Sequence, residues 1–453
     1  MTRLTATARD GEAPAEPQQT HTRLTPARPR RRSTMRPTNR QLDATRTAAT
    51  AQAPRVRIAF ITTIADTQWH FLRGQNRYLA ARGFEIHAIA APGPMLARLA
   101  RRDGVHVHPV PMTRSIHPLH DLIALWRLWR VLRQVQPHLV HVSTPKAALI
   151  GSIAAALART PARILLLRGL PFEGATGIRR LLLRSADRIA ARLCHRTLCV
   201  SSSLREVACR ERIISDQKSA VPGSGMSNGV DTVRLDPHVI RAADLGFDPQ
   251  NTARFRAPVI GFVGRLARDK GLDVLVAAFD LVRAQYSDAK LLLVGGWDES
   301  DPPPAELRAR LQRDPSVRLT GEVDDPAPWL KAMTVFVFPS RREGFPNAPM
   351  EAAAMALPVV AAGVTGVRNA VVSGVTGQLV PPDDPTAMAA AVCDYLRNPD
   401  LRRRHGHAAR ERVVREFQPQ RVWLAMLEEY TTLLRQRGGP LPHASPADRW
   451  RAA

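Results

Sequence analysis

The sequence predicts an α/β protein of two doubly wound domains, each a parallel sheet covered by helices on both faces. Short runs of branched apolar residues alternate with helix-length stretches, and the alternation breaks once and then resumes. The chain is also too long for one core: 453 residues at 44% hydrophobic composition exceed the roughly 250–300 residues at which a single core stops growing. Strands buried on both faces read as continuous apolar runs, and their alternation with helices argues a parallel sheet.

The first set of strand runs is 56–61, 84–90, 105–110, 139–142, 164–167 and 197–200, with helices expected over 69–82, 119–136, 146–159 and 178–195. The stretch 221–230, Val-Pro-Gly-Ser-Gly-Met-Ser-Asn-Gly-Val, is dense in turn residues and marks the exit from the first domain. A second set follows at 259–263, 291–294, 317–319, 335–338 and 359–361, with helices at 272–285, 305–312 and 348–356. The domains are therefore drawn at 55–230 and 231–437. Residues 1–54 are rich in Pro, Thr, Ala and Arg without hydrophobic periodicity, so they read as a disordered basic tail, with Met35 as an alternative start; residues 438–453 read as a flexible end.

Ten arginines against four carboxylates give that tail +6, which leaves +19 of the chain's net +25 on the rest. So basic a body needs an acidic partner: nucleic acid, an anionic membrane or a diphosphate. The sequence holds no nucleic-acid reader motif and no ladder of basic and aromatic residues, so nucleic acid is not expected. No run of about 18 apolar residues is free of charge, and the first thirty residues lack an apolar signal core. Cys194, Cys199, Cys209 and Cys393 form no CxxC pair and no zinc spacing. A reduced, cytoplasmic setting is the expectation, with no metal and no cofactor.

The chemistry concentrates in Arg341-Arg342-Glu343-Gly344-Phe345-Pro346-Asn347-Ala348-Pro349-Met350-Glu351, where two carboxylates stand eight positions apart across a Gly-Phe-Pro turn. An apolar run precedes it and a helix-prone stretch follows, so the segment is strand, loop, helix. Glu343 then falls at the carboxyl end of a strand, where open parallel sheets bind ligands. Glu351 falls in the first turns of a helix, whose free N–H groups suit a diphosphate. Upstream, Gly264-Arg265-Leu266 and Lys270-Gly271 end another strand with two cations five positions apart. Departure of a nucleoside diphosphate builds negative charge that fixed Arg and Lys contacts stabilise. Taken alone, these glycines and cations also suit an ordinary strand-to-helix turn.

Together with Gly374-Val375-Thr376-Gly377 downstream, these motifs resemble the retaining glycosyltransferases of family 4. The first half is similar to a bacterial branch acting in surface-polysaccharide assembly, through Phe71-Leu72-Arg73-Gly74-Gln75, Ser143-Thr144-Pro145-Lys146-Ala147, Arg168-Gly169-Leu170-Pro171-Phe172-Glu173 and Ser227-Asn228-Gly229-Val230-Asp231. The resemblance covers about residues 55–435. It implies the GT-B architecture, two Rossmann-like domains facing across a cleft, with a last helix near 419–437 crossing back onto the first domain. It implies a nucleotide-sugar donor, UDP- or GDP-linked, with Glu343, Arg265 and Lys270 catalytic. Gly264, Gly344, Phe345, Pro346, Asn347, Ala348, Glu351 and Val323 would line the donor site, Glu351 on the ribose and Val323 near the base. Metal independence is usual in the family; Asp298 and Asp301 read as loop solvation and capping rather than a metal motif.

Two positions depart from the family pattern. A His common at the end of a first-domain strand is replaced by the Arg168-Gly169-Leu170-Pro171 loop, where Arg168 is a candidate phosphate or acceptor contact. Asn369 stands where many relatives carry an acidic residue at a helix start, and it is expected to cap that helix. The acceptor implied is a polyprenyl-diphosphate-linked or other saccharide of exopolysaccharide, capsule or O-antigen synthesis. Arginine-rich amphipathic stretches at 122–133 and 178–193 suit an anionic bilayer, placing the protein at the inner face of the plasma membrane. Alternatives are a nucleotide-sugar epimerase, which needs a carboxylate and His set that the sequence does not display, and a nucleic-acid binder.

Overall fold

A computed structural model describes residues 55–113, 117–243 and 257–442. The expectations for 1–54 and for 443–453 lie outside the described residues. Two parallel sheets organise the chain. The first contains β1 (Val56–Ile61), β2 (Phe84–Ala90), β3 (His106–Pro109), β4 (Leu139–Ser143), β5 (Ala162–Leu167), β6 (Arg196–Cys199) and β7 (Ser219–Ala220), in the order β3-β2-β1-β4-β5-β6-β7. The second contains β8 (Val259–Val263), β9 (Lys290–Val294), β10 (Val317–Leu319), β11 (Val335–Phe338), β12 (Val359–Ala362) and β13 (Gly377–Val380), in the order β10-β9-β8-β11-β12-β13. All pairings between these strands are parallel. Strand order reverses between β1 and β4 and again between β8 and β11. Each reversal opens a crevice at the carboxyl ends of the strands.

Helices α1 (Ala65–Phe71), α2 (Gln75–Ala80), α3 (Pro94–Asp103), α4 (Pro118–Val135), α5 (Pro145–Leu157), α6 (Gly177–Leu193) and α7 (Ser202–Arg210) accompany the first sheet. Helices α8 (Leu272–Arg283), α9 (Ala305–Arg313), α10 (Ala327–Ala332), α11 (Asn347–Ala354), α12 (Val367–Ala370), α13 (Pro385–Arg397) and α14 (Pro399–Glu416) accompany the second, and α15 (Pro419–Gln436) ends the chain's regular structure. Proline in the first turn opens α4, α5, α13, α14 and α15, where its missing N–H is not needed. Ser201, Asp384 and Asn398 cap α7, α13 and α14 through their side-chain oxygens.

The single helix expected over 69–82 is two. Gly74 takes φ 80°, a left-handed turn that ends one helix and starts the next. The break lets the Trp423 ring of α15 pack where a side chain at 74 would stand.

Helix α15 returns to the first sheet. Tyr430 is fully buried and its hydroxyl hydrogen-bonds His141 Nδ1 on β4 at 2.8 Å. Arg196 on β6 pairs with Glu429 at 3.0 Å, and Trp423 Nε1 donates to Asn228 Oδ1 at 2.7 Å. The chain thus crosses between the sheets twice, outward after Ala220 and back at 417–419. The two crossings touch, with Val230 N donating to the Phe417 carbonyl at 2.8 Å. The four cysteines are free.

Candidate active site

The loops after β5, β8 and β11 and the N-terminal end of α5 enclose a cavity of about 330 Å3. Glu343 enters it from the loop that leaves β11, and Lys270 from the short turn after β8. They meet at 2.7 Å, Lys270 Nζ donating to Glu343 Oε1. Ser340 Oγ donates to the same oxygen at 2.9 Å, so Glu343 is held from both sides. Asp269 lies 3.6 Å from Lys270 and 3.8 Å from Arg342, and both of these residues also line the cavity. Arg265 lines it as well, with a side chain 58% exposed that pairs with Asp298. Three cations and two carboxylates therefore stand on the second-sheet wall, beside the reversal between β8 and β11.

The opposite wall belongs to the first sheet. Arg168, at the end of β5, lines the cavity with its guanidinium 4.5 Å over the Phe71 ring. Its Nε and Nη1 are buried without a hydrogen-bond partner, and burial pulls its pKa down to about 10. Thr144 at the mouth of α5 is bound to Thr63 by 2.9 and 3.0 Å contacts, which ties the ends of β1 and β4 together. His141 is not a site residue in this structure. It is buried against Tyr430, and burial pushes its imidazole down to about 3, so it is neutral near pH 7.

The walls touch at Gly344. A Cβ built there would stand 1.8 Å from the Arg168 carbonyl oxygen and 3.0 Å from Gly169 N, so this position admits only glycine at the present separation. The Gly344 carbonyl accepts from Ser201 Oγ at 2.7 Å, and Gly366 N donates to Ser203 Oγ at 2.8 Å. Asn369 is not the cap of its own helix: α12 starts at Val367 with Gly366 as its N-cap. Its amide instead reaches the other domain, Oδ1 accepting from Ser203 N at 3.1 Å and Nδ2 donating to Ser202 Oγ at 2.6 Å. Asn369 thus caps α7 from across the cleft.

Of the residues singled out in the sequence, Arg168, Arg265, Lys270, Glu343 and Gly344 share the cavity lining. Gly264, Val323, Phe345, Pro346, Asn347, Ala348 and Glu351 do not. Phe345 turns its ring into the core against Phe417, centroids 5.4 Å apart, which leaves its main chain for the loop. Asn347 is the first residue of α11, and Pro346 is its N-cap without a side-chain bond, so no protein side chain caps this helix start. Glu351 is half-buried in α11, with Arg234 and Asp325 as its charged neighbours, and burial raises its carboxyl to about 7. Among the described residues no cluster of His, Cys, Asp or Glu is arranged to hold a metal ion. Asp298 is engaged with Arg265 and Ser300, and Asp301 accepts from Asp269 N. Sequence reasoning missed Asp269, Arg342, Thr144 and Asp187 as cavity residues. Arg342 adjoins Glu343 and Asp269 adjoins Lys270, and that adjacency was the available signal.

Residues 72–234 match the glycosyltransferase family 4 profile, and residues 257–398 match that of glycosyl transferases group 1. The capsular polysaccharide biosynthesis glycosyltransferase CapM of Staphylococcus aureus is 31% identical over 370 residues, 81% of this chain and 95% of that protein. The lipopolysaccharide core biosynthesis mannosyltransferase LpcC of Rhizobium leguminosarum is 30% identical over 47% of this chain and 61% of its own length. Among solved structures, sucrose-phosphate synthase of Thermosynechococcus elongatus superposes with a TM-score of 0.67 at 21% identity, over 84% of this chain and all of that one. Anabaena HepE in complex with UDP and glucose superposes with a TM-score of 0.66 at 17% identity, over 83% and 100%. These structures share the fold of two Rossmann-like domains facing across a cleft. The chain belongs to glycosyltransferase family 4 and is a glycosyltransferase of GT-B architecture.

Proposed function

We propose that the protein moves a sugar, with retention of anomeric configuration, from a nucleotide-diphosphate donor to a polyprenyl-diphosphate-linked or other saccharide acceptor in exopolysaccharide, capsule or O-antigen synthesis. The observation that carries the reading is the grouping of Arg265, Lys270 and Arg342 around Glu343 on one wall of the cleft. A diphosphate fits those cations, and Glu343, steadied by Lys270 and Ser340, is an acceptor for the hydroxyls of the transferred sugar. The C1–oxygen bond to the β-phosphate breaks as the acceptor oxygen bonds C1 on the same face. The acceptor's proton passes to the departing phosphate oxygen, and no sugar becomes bonded to the enzyme. Arg265 and Lys270 stabilise the charge that grows on the leaving group. The polysaccharide roles of CapM and LpcC and the UDP bound by HepE support the polysaccharide setting and the nucleotide-sugar donor.

The acceptor's lipid and an anionic membrane face are supported by the first domain's surface. Leu119, Leu122, Ile123 and Trp126 of α4 and Ile178, Leu181 and Leu182 of α6 are exposed beside Arg127, Arg130 and Arg179. No helix among the described residues is long and apolar enough to cross a membrane. Co-sedimentation with phosphatidylglycerol vesicles, weakened by salt and absent with phosphatidylcholine, is the expected result.

The donor reading is tested by thermal shift against UDP, GDP and their sugar conjugates, with magnesium and with chelator. Binding raises the unfolding midpoint by mass action. A shift with one nucleotide, equal in magnesium and chelator, is expected; no shift with any of them overturns the reading.

A further inference from the structure

A second cavity, of about 400 Å3, opens along the seam between the two domains and shares only Arg342 with the first. The turn at Pro171–Gly174 and helices α6 and α7 supply one side of it. The loops that leave β11 and β12, with α12, supply the other. Its charged lining is five arginines against two glutamates, so the seam carries a surplus of positive charge.

Three of those arginines are already engaged. Arg180 donates to Glu211 at 3.1 Å, and Arg341 is held by Asp273 and Asp383 at 2.7 Å each. Arg342 donates to the Pro171 carbonyl at 3.3 Å, with Asp269 3.8 Å away. The two carboxylates are engaged as well: Glu211 also pairs with Arg184 at 3.3 Å, and Glu173 accepts from Thr365 across the seam at 2.9 Å. Arg210, at the end of α7, and Arg368, in α12, are different. Both are exposed, and neither forms an ion pair or a side-chain hydrogen bond among the described residues. They stand on opposite domains whose helices touch, α7 and α12 being joined by the 3.1 Å bond from Ser203 N to Asn369 Oδ1. Two guanidiniums without counter-ions, one on each wall, repel each other and oppose the contact that those hydrogen bonds make.

We propose that this second cavity binds the phosphate group of a phosphate ester or diphosphate, which bridges Arg210 of the first domain and Arg368 of the second and ties the walls of the cleft together from outside the catalytic cavity. A guanidinium is a planar fork of donors that stays charged, and a phosphate has enough anionic oxygens to meet two such forks at once. A carboxylate, with two oxygens in one plane, satisfies one. The cavity is larger than a phosphate ion, so it also takes part of the group that the phosphate esterifies. This site is separate from the donor's diphosphate, which belongs with Arg265 and Lys270; neither lines this cavity. An anion held by both walls favours the arrangement in which they touch, so it acts on the opening of the cleft and not on the bond that is transferred.

The test titrates inorganic pyrophosphate into the full chain by calorimetry, with the catalytic cavity first saturated with UDP or GDP, whichever binds. Pyrophosphate is expected to bind the wild type at one site. Arg210→Gln and Arg368→Gln should each weaken it about tenfold or more while nucleotide affinity stays within about twofold. Both side chains are exposed and unpaired, so neither substitution removes a structural contact. Vesicles of phosphatidic acid in phosphatidylcholine distinguish the sources of the phosphate. Pyrophosphate binding that needs both arginines assigns a free phosphate compound, and vesicle binding that needs both, without pyrophosphate binding, assigns a lipid headgroup; either upholds the site. No binding of either probe, binding indifferent to the substitutions, or dependence on one arginine alone overturns the bridge. If the wild type binds neither nucleotide, the transfer reading fails by itself, and the same two variants decide the phosphate site in the nucleotide-free chain.

Discussion

Replacing Gly344 by alanine tests whether the two walls of the cleft are in register through one backbone contact. The added Cβ would stand 1.8 Å from the Arg168 carbonyl oxygen and 2.4 Å from its carbon, both main-chain atoms that no rotamer change can move. Ordinary contact between such atoms lies near 3.5 Å, so the loops after β5 and β11 must separate by roughly 1.5 Å. Overpacking of this kind costs about 1–3 kcal/mol. A displacement of about 1 Å between reacting groups costs about a hundredfold in rate. Gly344→Ala is therefore expected to lower the unfolding midpoint and to cut turnover by about two orders of magnitude, while Lys270 and Glu343, both on the second-sheet side, keep their 2.7 Å contact. Denaturant titration and a nucleotide-release assay measure the two effects. Gly169→Ala is the control: its Cβ would meet only Gly344 N at 3.9 Å, so stability stays within about 0.5 kcal/mol of wild type. Wild-type stability and turnover in Gly344→Ala would refute the register argument.

Arg265→Ala combined with Lys270→Ala should lower kcat by two or more orders of magnitude with the fold intact, and retained turnover on a confirmed donor would place leaving-group stabilisation elsewhere. Glu351 has a folded pKa raised to about 7, so its neutral form is favoured and stability falls as pH climbs from about 4.5 through 7. Glu351→Gln should then be more stable than wild type at pH 8, by up to about 3 kcal/mol, and equal to it below pH 4, while binding nucleotide at least tenfold more weakly; calorimetry showing unchanged nucleotide affinity would remove it from the donor site. Tyr430→Phe leaves the buried His141 Nδ1 without its partner and should cost about 1–3 kcal/mol in a denaturant titration, with donor affinity unchanged.

The sheets were legible because their strands are buried on both faces: β8 and β11 are uninterrupted apolar runs, and β1 and β5 are broken only by Arg57 and Arg163 near their starts, so local patterning suffices to identify them. Helix α14, Pro-Asp-Leu-Arg-Arg-Arg-His-Gly-His-Ala-Ala-Arg-Glu-Arg-Val-Val-Arg-Glu, was not expected, since it buries little beyond His405, Gly406, Ala409 and Val413 and carries no apolar stripe. The Glu343 and Lys270 segments could be recognised because each sits where its own strand ends. What joins them to the first domain could not. Asn369 looks like a helix cap in the chain, yet its partners lie about 166 positions away on α7, and nothing local encodes that distance. Asp187 reads as one more charge on a basic amphipathic helix. Its place in the cavity lining depends on how α6 packs against α5, which no local pattern encodes.

The double crossing of the chain sets the mechanics of the molecule. Because the outgoing and returning segments are bonded to each other at Val230 and Phe417, the halves are joined as a door is by one short hinge rather than two distant ones. The first sheet also borrows Tyr430 and Glu429 from the far end of the chain, so a fragment ending before Pro419 lacks part of its own interior. Splitting this protein at its linker would leave the first domain without the helix that completes its interior.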